Sequence, residues 1–175
     1  MIEFVDVLDP LTSERTGTAK PKSDVHRDGD WHRAAHVWIV TPDNRILVQK
    51  RSLQKENHPG LWDVSSAGHV SGGESALDAA MRETEEELGL TIDASELVPI
   101  GITRESHVLN GGAYLDNEVH EVFLVRRDVD LTTLRLQPSE VDDARLVTIA
   151  EFLQLIRDGA MVDHAHEYAL LQASI

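Results

Sequence analysis

The sequence predicts a single α/β domain. Short β-branched and aromatic runs recur along the chain, and between them lie two stretches of helical period, each opened by a capping box and followed by glycine. At 175 residues the chain suits one domain of ordinary size with a proper core. From the N-terminus, Ile2 to Leu8 alternates well enough for a short strand, and Pro10 to Lys22 reads as a turn-rich connection. Ala34 to Thr41 (AAHVWIVT) and Arg45 to Lys50 (RILVQK) are strands joined at Pro42-Asp43-Asn44, a hairpin turn. Arg51 to Gly60 is polar and loop-like and leads into Leu61-Trp62-Asp63-Val64.

The first helix is the best defined element. Ser75 and Asp78 form a capping-box pattern, so the helix starts at about Ala76. Ala76, Leu77, Ala80, Met81, Thr84 and Leu88 recur at three- and four-residue steps as one buried stripe, and Gly89 supplies the left-handed C-cap. Strands are expected at Leu97–Thr103, Glu118–Arg126 and Ala144–Thr148. Thr148 and Glu151 cap a second helix with Ile149, Phe152, Leu153 and Ile156 on its apolar face, ended by Gly159. The tail His166–Ser174 reads as a third helix, and the chain has no internal repeat or linker.

The polar side of the first helix carries the chemistry. Glu83, Glu86 and Glu87 stand at i, i+3 and i+4, so their carboxylates share a face. Like charges at these spacings cost about 0.2–0.5 kcal/mol per pair, and they gather at the C-terminal end, where the helix dipole disfavours anions. Mg²⁺ turns that repulsion into binding, because it takes carboxylate oxygens and keeps water for a phosphate ligand. Arg82 is placed to pair with Glu86 one turn on. A Glu-rich run alone is more often a solvated face, so the surrounding pattern decides.

That pattern is GHVSGGESALDAAMRETEEELGL, Gly68 to Leu90. Gly68, Glu74, Arg82-Glu83, Glu86-Glu87 and Gly89 match the Nudix box, G-x5-E-x7-R-E-U-x-E-E-x-G-U, with Thr84 in place of one aliphatic U. The chain therefore resembles the Nudix hydrolases. The resemblance implies one domain over residues 1–175, a mixed β-sheet sandwiched between α-helices, and a metal-dependent pyrophosphohydrolase. It places Mg²⁺ or Mn²⁺ on Glu83, Glu86, Glu87 and the Gly68 carbonyl, with Glu74 and Arg82 orienting the acids. Water activated on the cation would attack phosphorus, with Glu86 or Glu87 as general base and Glu118 behind them.

A narrower resemblance runs from about Val25 to Gly89, to the Nudix branch that includes type I isopentenyl-diphosphate isomerase. In that branch two histidines before a strand, the histidine of a Gly-His pair and two acids in an acid-Asn-Glu triplet hold a metal. The matching residues are His26, His32, His69, Asp116 and Glu118, which imply a second divalent metal; imidazole with carboxylate suits a transition metal. The run from Arg51 to Lys55, with Pro59-Gly60-x-Trp62 after it, also matches, and it implies that Arg51 and Lys55 contact the substrate diphosphate. Two departures favour hydrolysis. Ala67 stands where the isomerases carry a cysteine, and Glu83 is kept where they commonly carry a basic residue. The alternatives are an isomerase-like enzyme lacking the Cys, or a non-catalytic nucleotide or diphosphate sensor. Of the other histidines, His36 reads as structural in its strand and His164 and His166 as tail surface, while His58, His107 and His120 follow no pattern. The loop Arg104–Asp116, with mobile Gly111-Gly112 and a stacking face on Tyr114, is the expected reader of the leaving moiety.

Composition narrows the partners. Sixteen Lys and Arg against 31 Asp and Glu give a formal net charge of −15, which disfavours a nucleic-acid polymer but not a small phosphorylated substrate such as a nucleoside diphosphate derivative. The absence of cysteine excludes disulfides and thiolate chemistry. No apolar run approaches about 20 residues, so no membrane partner is expected and a cytoplasmic protein is the default. A homodimer through the N-terminal strand, or closure of that strand on its own sheet, are both open.

Overall fold

The computed structural model describes residues 2–175. Nine strands and four helices form it: β1 (Phe4–Leu8), β2 (Arg15–Pro21), α1 (Lys22–Asp28), β3 (His32–Val40), β4 (Ile46–Arg51), β5 (Trp62–Asp63), β6 (Ser66–His69), α2 (Ala76–Leu88), β7 (Val98–Leu109), β8 (Tyr114–Arg126), β9 (Val141–Val147), α3 (Ile149–Arg157) and α4 (Ala165–Ser174). The main sheet runs β5-β4-β3-β8-β7, with β6 on β3 and β9 on β4. It is mixed, since β3 and β8 are parallel and the other pairings antiparallel.

Strand β3 is buried at every position but Arg33 because both of its faces are covered. Ala35, Val37 and Ile39 pack with Ala79, Ala80 and Leu88 of α2. Trp38 and Val40 pack on the opposite side with Phe152 of α3 and Tyr168 and Leu171 of α4. The result is the α/β sandwich expected from the sequence. Its centre also sets the site: β3 pairs with β6 at Ala34↔His69 and Ala35↔Gly68, and with β8 at His32↔Glu118. Three separate segments thus deliver their polar residues to one end of β3.

Helix α2 forms as expected. Ser75 caps it by accepting from the Asp78 N–H, and Gly89 ends it at φ 68°. Thr84 is buried and its hydroxyl donates to the Ala80 carbonyl (2.7 Å), so it lies away from the acidic face. Helix α3 carries the complete Thr148–Glu151 capping box.

Three segments differ from expectation. The connection Pro10–Lys22 contains β2, which pairs with β1 in a separate two-stranded sheet and closes the N-terminal strand on its own chain. Helix α1 follows directly and was not anticipated. Arg104–Asp116 is mostly strand: β7 and β8 pair continuously from Gly101↔Val122 to Leu109↔Tyr114, leaving only residues 110–113 as the tip. The Gly-Gly pair that suggested a mobile loop is the turn of a long hairpin, where both glycines take positive φ.

Candidate functional site

A cleft of about 700 Å³ opens over the ends of β3, β6 and β8. Its walls hold Glu83, Glu86 and Glu87 from α2, Gly68 and His69 from β6, Asp116 and Glu118 from β8, Arg51 from the end of β4 and Lys55 from the loop after it.

The acidic wall is held in position by hydrogen bonds. Arg82 donates through Nε to Glu74 Oε1 (2.9 Å) and through Nη2 to Glu74 Oε2 (2.9 Å), a two-point fork. It also reaches Glu83 Oε1 (2.6 Å) and the His69 carbonyl (3.0 Å), whereas Glu86 lies 3.4 Å away. The arginine thus keeps the pairing with Glu86 that helical spacing implied, at the longest of its distances, and is bound more closely to Glu74, Glu83 and the β6 backbone. Glu74 in turn accepts from the Ser71 N–H (2.9 Å). Glu87 is buried and accepts from Gln49 Nε2 (3.0 Å) and the Ala67 N–H (3.2 Å). Burial pushes its carboxyl up to about 7, with Lys55 working against the shift and Glu83 adding to it. Burial also raises the Glu83 carboxyl, opposed by Arg82.

Five side chains named from the sequence meet at the other wall. His26 Nε2 lies 3.3 Å from His69 Nε2. Glu118 Oε1 lies 3.1 Å from His69 Nε2 and 3.3 Å from His32 Nε2, and Asp116 Oδ1 lies 3.3 Å from His26 Nδ1. Two groups among them, His26–His32–His69 and His32–Asp116–Glu118, each bring their ligand atoms within 4.8 Å of one another, close enough to hold a metal ion. His32 Nε2 and Asp116 Oδ1 are buried without a hydrogen-bond partner, a costly arrangement unless a cation takes them up. Burial lowers the His69 pKa well below the usual histidine value, and burial with the charge of His32 lowers that of His26 to about 4, which keeps both rings in the ligand form. The three acids of α2 line the cleft without forming so tight a set among the described residues. Arg82 draws Glu83 one way and the Ala67 amide draws Glu87 another.

The basic residues are present but engaged. Arg51 donates to Asp63 Oδ2 (2.8 Å) and twice to the Asn57 carbonyl, and Lys55 pairs with Glu140. Tyr114 stacks on His26 at 4.0 Å, so one of its faces is covered by a protein ring.

Sequence reasoning missed Lys22, which lines the cleft from the start of α1, and a block of buried charge beneath it. His164, expected on the tail surface, is buried: Nε2 lies 3.1 Å from Asp63 Oδ1 and Nδ1 lies 3.1 Å from Glu105 Oε2. The backbone explains this, because Trp62 donates to the Ala160 carbonyl and accepts from the Val162 N–H, which brings the segment before α4 against β5. His36 is buried as expected, and His120 lies between Glu118 Oε2 (2.9 Å) and Glu167 Oε1 (2.8 Å). Burial works to lower the His120 pKa, but the two carboxylates outweigh it and raise it to about 10. The one available signal was the i, i+3 spacing of His164 and Glu167. His166 is exposed, as expected.

An α/β sandwich whose cleft sets a glutamate-bearing helix against a histidine-carboxylate group that could hold a metal ion is the arrangement of a hydrolase of the Nudix class. The comparisons with known proteins agree: the NUDIX domain model matches residues 30–168, and the chain belongs to the Nudix hydrolase family. It is 42% identical over 153 residues to Nudix hydrolase 3 of Arabidopsis thaliana, covering 86% of this chain and 20% of that protein, so the chain spans a fifth of that relative's length. It is 32% identical over 154 residues to an isopentenyl-diphosphate Delta-isomerase of Streptomyces griseus, covering 88% and 74%, which supports the isomerase-like branch. A crystal structure from Deinococcus radiodurans shares the fold, with a TM-score of 0.71 at 21% identity over 97% of this chain and 98% of that one.

Proposed function

We propose that the protein hydrolyses a diphosphate linkage in a small substrate, a nucleoside diphosphate derivative being the favoured class, with Mg²⁺ or Mn²⁺ on Glu83, Glu86, Glu87 and the Gly68 carbonyl. The observation that carries this reading is one cleft with all three acids of α2 on its wall and Arg51, Lys55 and Lys22 also lining it. A cation held there supplies charge neutralisation of phosphate oxygens and a more acidic water. The chain's own residues do the rest. Arg82 and Glu74 lock Glu83 against β6. Glu86 or Glu87 serves as the general base, with Glu118 behind them. Arg51 and Lys55 exchange or share their present acceptors with the substrate's terminal phosphate, which positions phosphorus and stabilises developing charge. His26, His32, His69, Asp116 and Glu118 hold a second, transition-metal cation.

The isomerase reading is weaker because it needs a side chain that delivers a proton to carbon beside the Gly-His pair. Ala67 occupies that place, partly exposed in the cleft, and its methyl group carries no proton to give.

A release screen over nucleoside diphosphates, triphosphates, dinucleoside polyphosphates, sugar nucleotides and isopentenyl diphosphate tests the proposal, with Mg²⁺ and Mn²⁺ separately. Cation-dependent cleavage that Glu87→Gln loses is the expected result. Equal inactivity of wild type and variant across the panel overturns hydrolysis of these substrates, and conversion of isopentenyl diphosphate without phosphate release would favour the isomerase.

A further inference from the structure

Beneath the cleft lies a group that the proposed reaction leaves unused. His36 on β3, His120 on β8, His164 at the start of α4 and Glu167 in its first turn are all buried, and each offers a ligand atom within 4.8 Å of the others. We propose that these four residues hold a first-row transition-metal cation, Zn²⁺ by preference, separate from both the acidic wall and the His26–His32–His69 group.

Three observations support the assignment. First, Glu167 Oε1 lies 2.8 Å from His36 Nδ1 and 2.8 Å from His120 Nδ1, yet His36 Nδ1 makes no hydrogen bond and is buried. His120 Nδ1 is hydrogen-bonded to that carboxylate, whereas His36 Nδ1 is a buried nitrogen left unsatisfied, as is His32 Nε2 beside Glu118, and a cation would take such a nitrogen up. Second, the outward nitrogens are supported. His120 Nε2 lies 2.9 Å from Glu118 Oε2, and His164 has a carboxylate on each nitrogen, so whichever one turns to the cation, the other keeps Asp63 or Glu105. Ligating histidines characteristically carry such a carboxylate on the far nitrogen. Third, the donor set is selective. Three imidazoles and one carboxylate complete a four-coordinate shell for Zn²⁺, whereas Mg²⁺ requires oxygen.

The placement gives the site a role. Its ligands come from two central strands and from α4, so a cation there fastens the C-terminal helix to the middle of the sheet. His36 and His164 line the cleft, which provides the path of entry. Entry displaces the ring proton that His120 Nδ1 shares with Glu167 in the cation's absence, as metal binding to imidazole requires.

The test uses the full chain, stripped with chelator and titrated with Co²⁺, whose visible absorption reports four-coordinate sites. A His32→Ala/His69→Ala variant, which breaks both metal-capable groups of the other wall, is expected to bind one Co²⁺ with that absorption. Adding His36→Asn or Glu167→Gln is expected to abolish it, and Zn²⁺ to raise the Tm of the double variant but not of the triple. Failure of the double variant to develop that absorption with Co²⁺, or absorption unchanged by the third substitution, overturns the proposal. A zinc-edge anomalous map of wild-type crystals decides the matter without variants: a peak among His36, His120 and Glu167 is expected, and a map lacking it refutes the site.

Discussion

A β-carbon on Gly68 would stand 2.0 Å from the carboxyl carbon of Glu83, so the two residues share one space and only a glycine leaves it open. The same Cβ would lie 2.3 Å from Glu83 Oε1 and 2.4 Å from its γ-carbon, too close for adjustment of the carboxylate alone. Gly68→Ala is therefore expected to fold, to push Glu83 off β6, and to weaken Mg²⁺ about 10–100-fold. Isothermal titration of Mg²⁺ measures this, and unchanged affinity would remove Glu83 from the cation's ligands.

Arg82 joins Glu74, Glu83 and the His69 carbonyl in one fan of donors. Lysine keeps the charge but not the fork. Arg82→Lys is expected to lose about tenfold or more in Mg²⁺ affinity, a loss of the size that positioning partners produce. A Mg²⁺-dependence curve of activity checks it.

Glu87 gives a pH signature. Its carboxyl titrates near 4.5 in the unfolded chain and near 7 in the cation-free fold, because burial penalises the charge. Ionising it therefore costs the cation-free fold stability as pH rises between those values. A cation recovers that loss by binding the ionised form. Mg²⁺ affinity is expected to fall below about pH 7, by up to about tenfold per unit for one displaced proton. Titrations at pH 6, 7 and 8 read the slope, and Glu87→Gln should flatten it.

His69 contributes two separable groups, a ring toward His26 and Glu118 and a carbonyl toward Arg82. His69→Ala keeps the carbonyl. It is expected to remove one bound transition-metal equivalent by elemental analysis while leaving Mg²⁺ binding within about twofold, far from the 10–100-fold expected where a positioning partner is lost. Parallel loss of both cations would show that the two walls do not act independently.

Thr148 accepts from the Glu151 N–H (3.2 Å) and Glu151 accepts from the Thr148 N–H (2.7 Å). Thr148→Ala removes one half of this cap and is expected to cost about 1 kcal/mol in urea unfolding, with no change in cation affinity.

What was legible in the sequence was local. Helix α2 runs from its Ser75 cap to Gly89, because spacing and caps decide it within a few residues. Strand β2 was hidden: RTGTAKP has no apolar alternation, being exposed for most of its length on a two-stranded sheet. Helix α1 begins after Pro21 without a side-chain cap, so no local signal marks it. The partners of Arg82 were only partly legible for a related reason. Helical spacing points to Glu86, which does pair, whereas the closer partner Glu74 is presented by the chain before Ser75 folding back. His164 escaped because its burial depends on backbone bonds to Trp62, a hundred residues away, which no periodicity records.

The two walls of the cleft differ in how much of the chain must be in place before they exist. Glu83, Glu86 and Glu87 lie on a single helix and come into register as soon as that helix forms. His26, His32, His69, Asp116 and Glu118 come from four segments spread over more than half the chain, joined only when β3 has taken both β6 and β8. Loop closure makes such distant meetings late. During refolding, a chromophoric ion seated among those imidazoles would mark the completion of the central sheet, and an ion on α2 would mark no more than the helix.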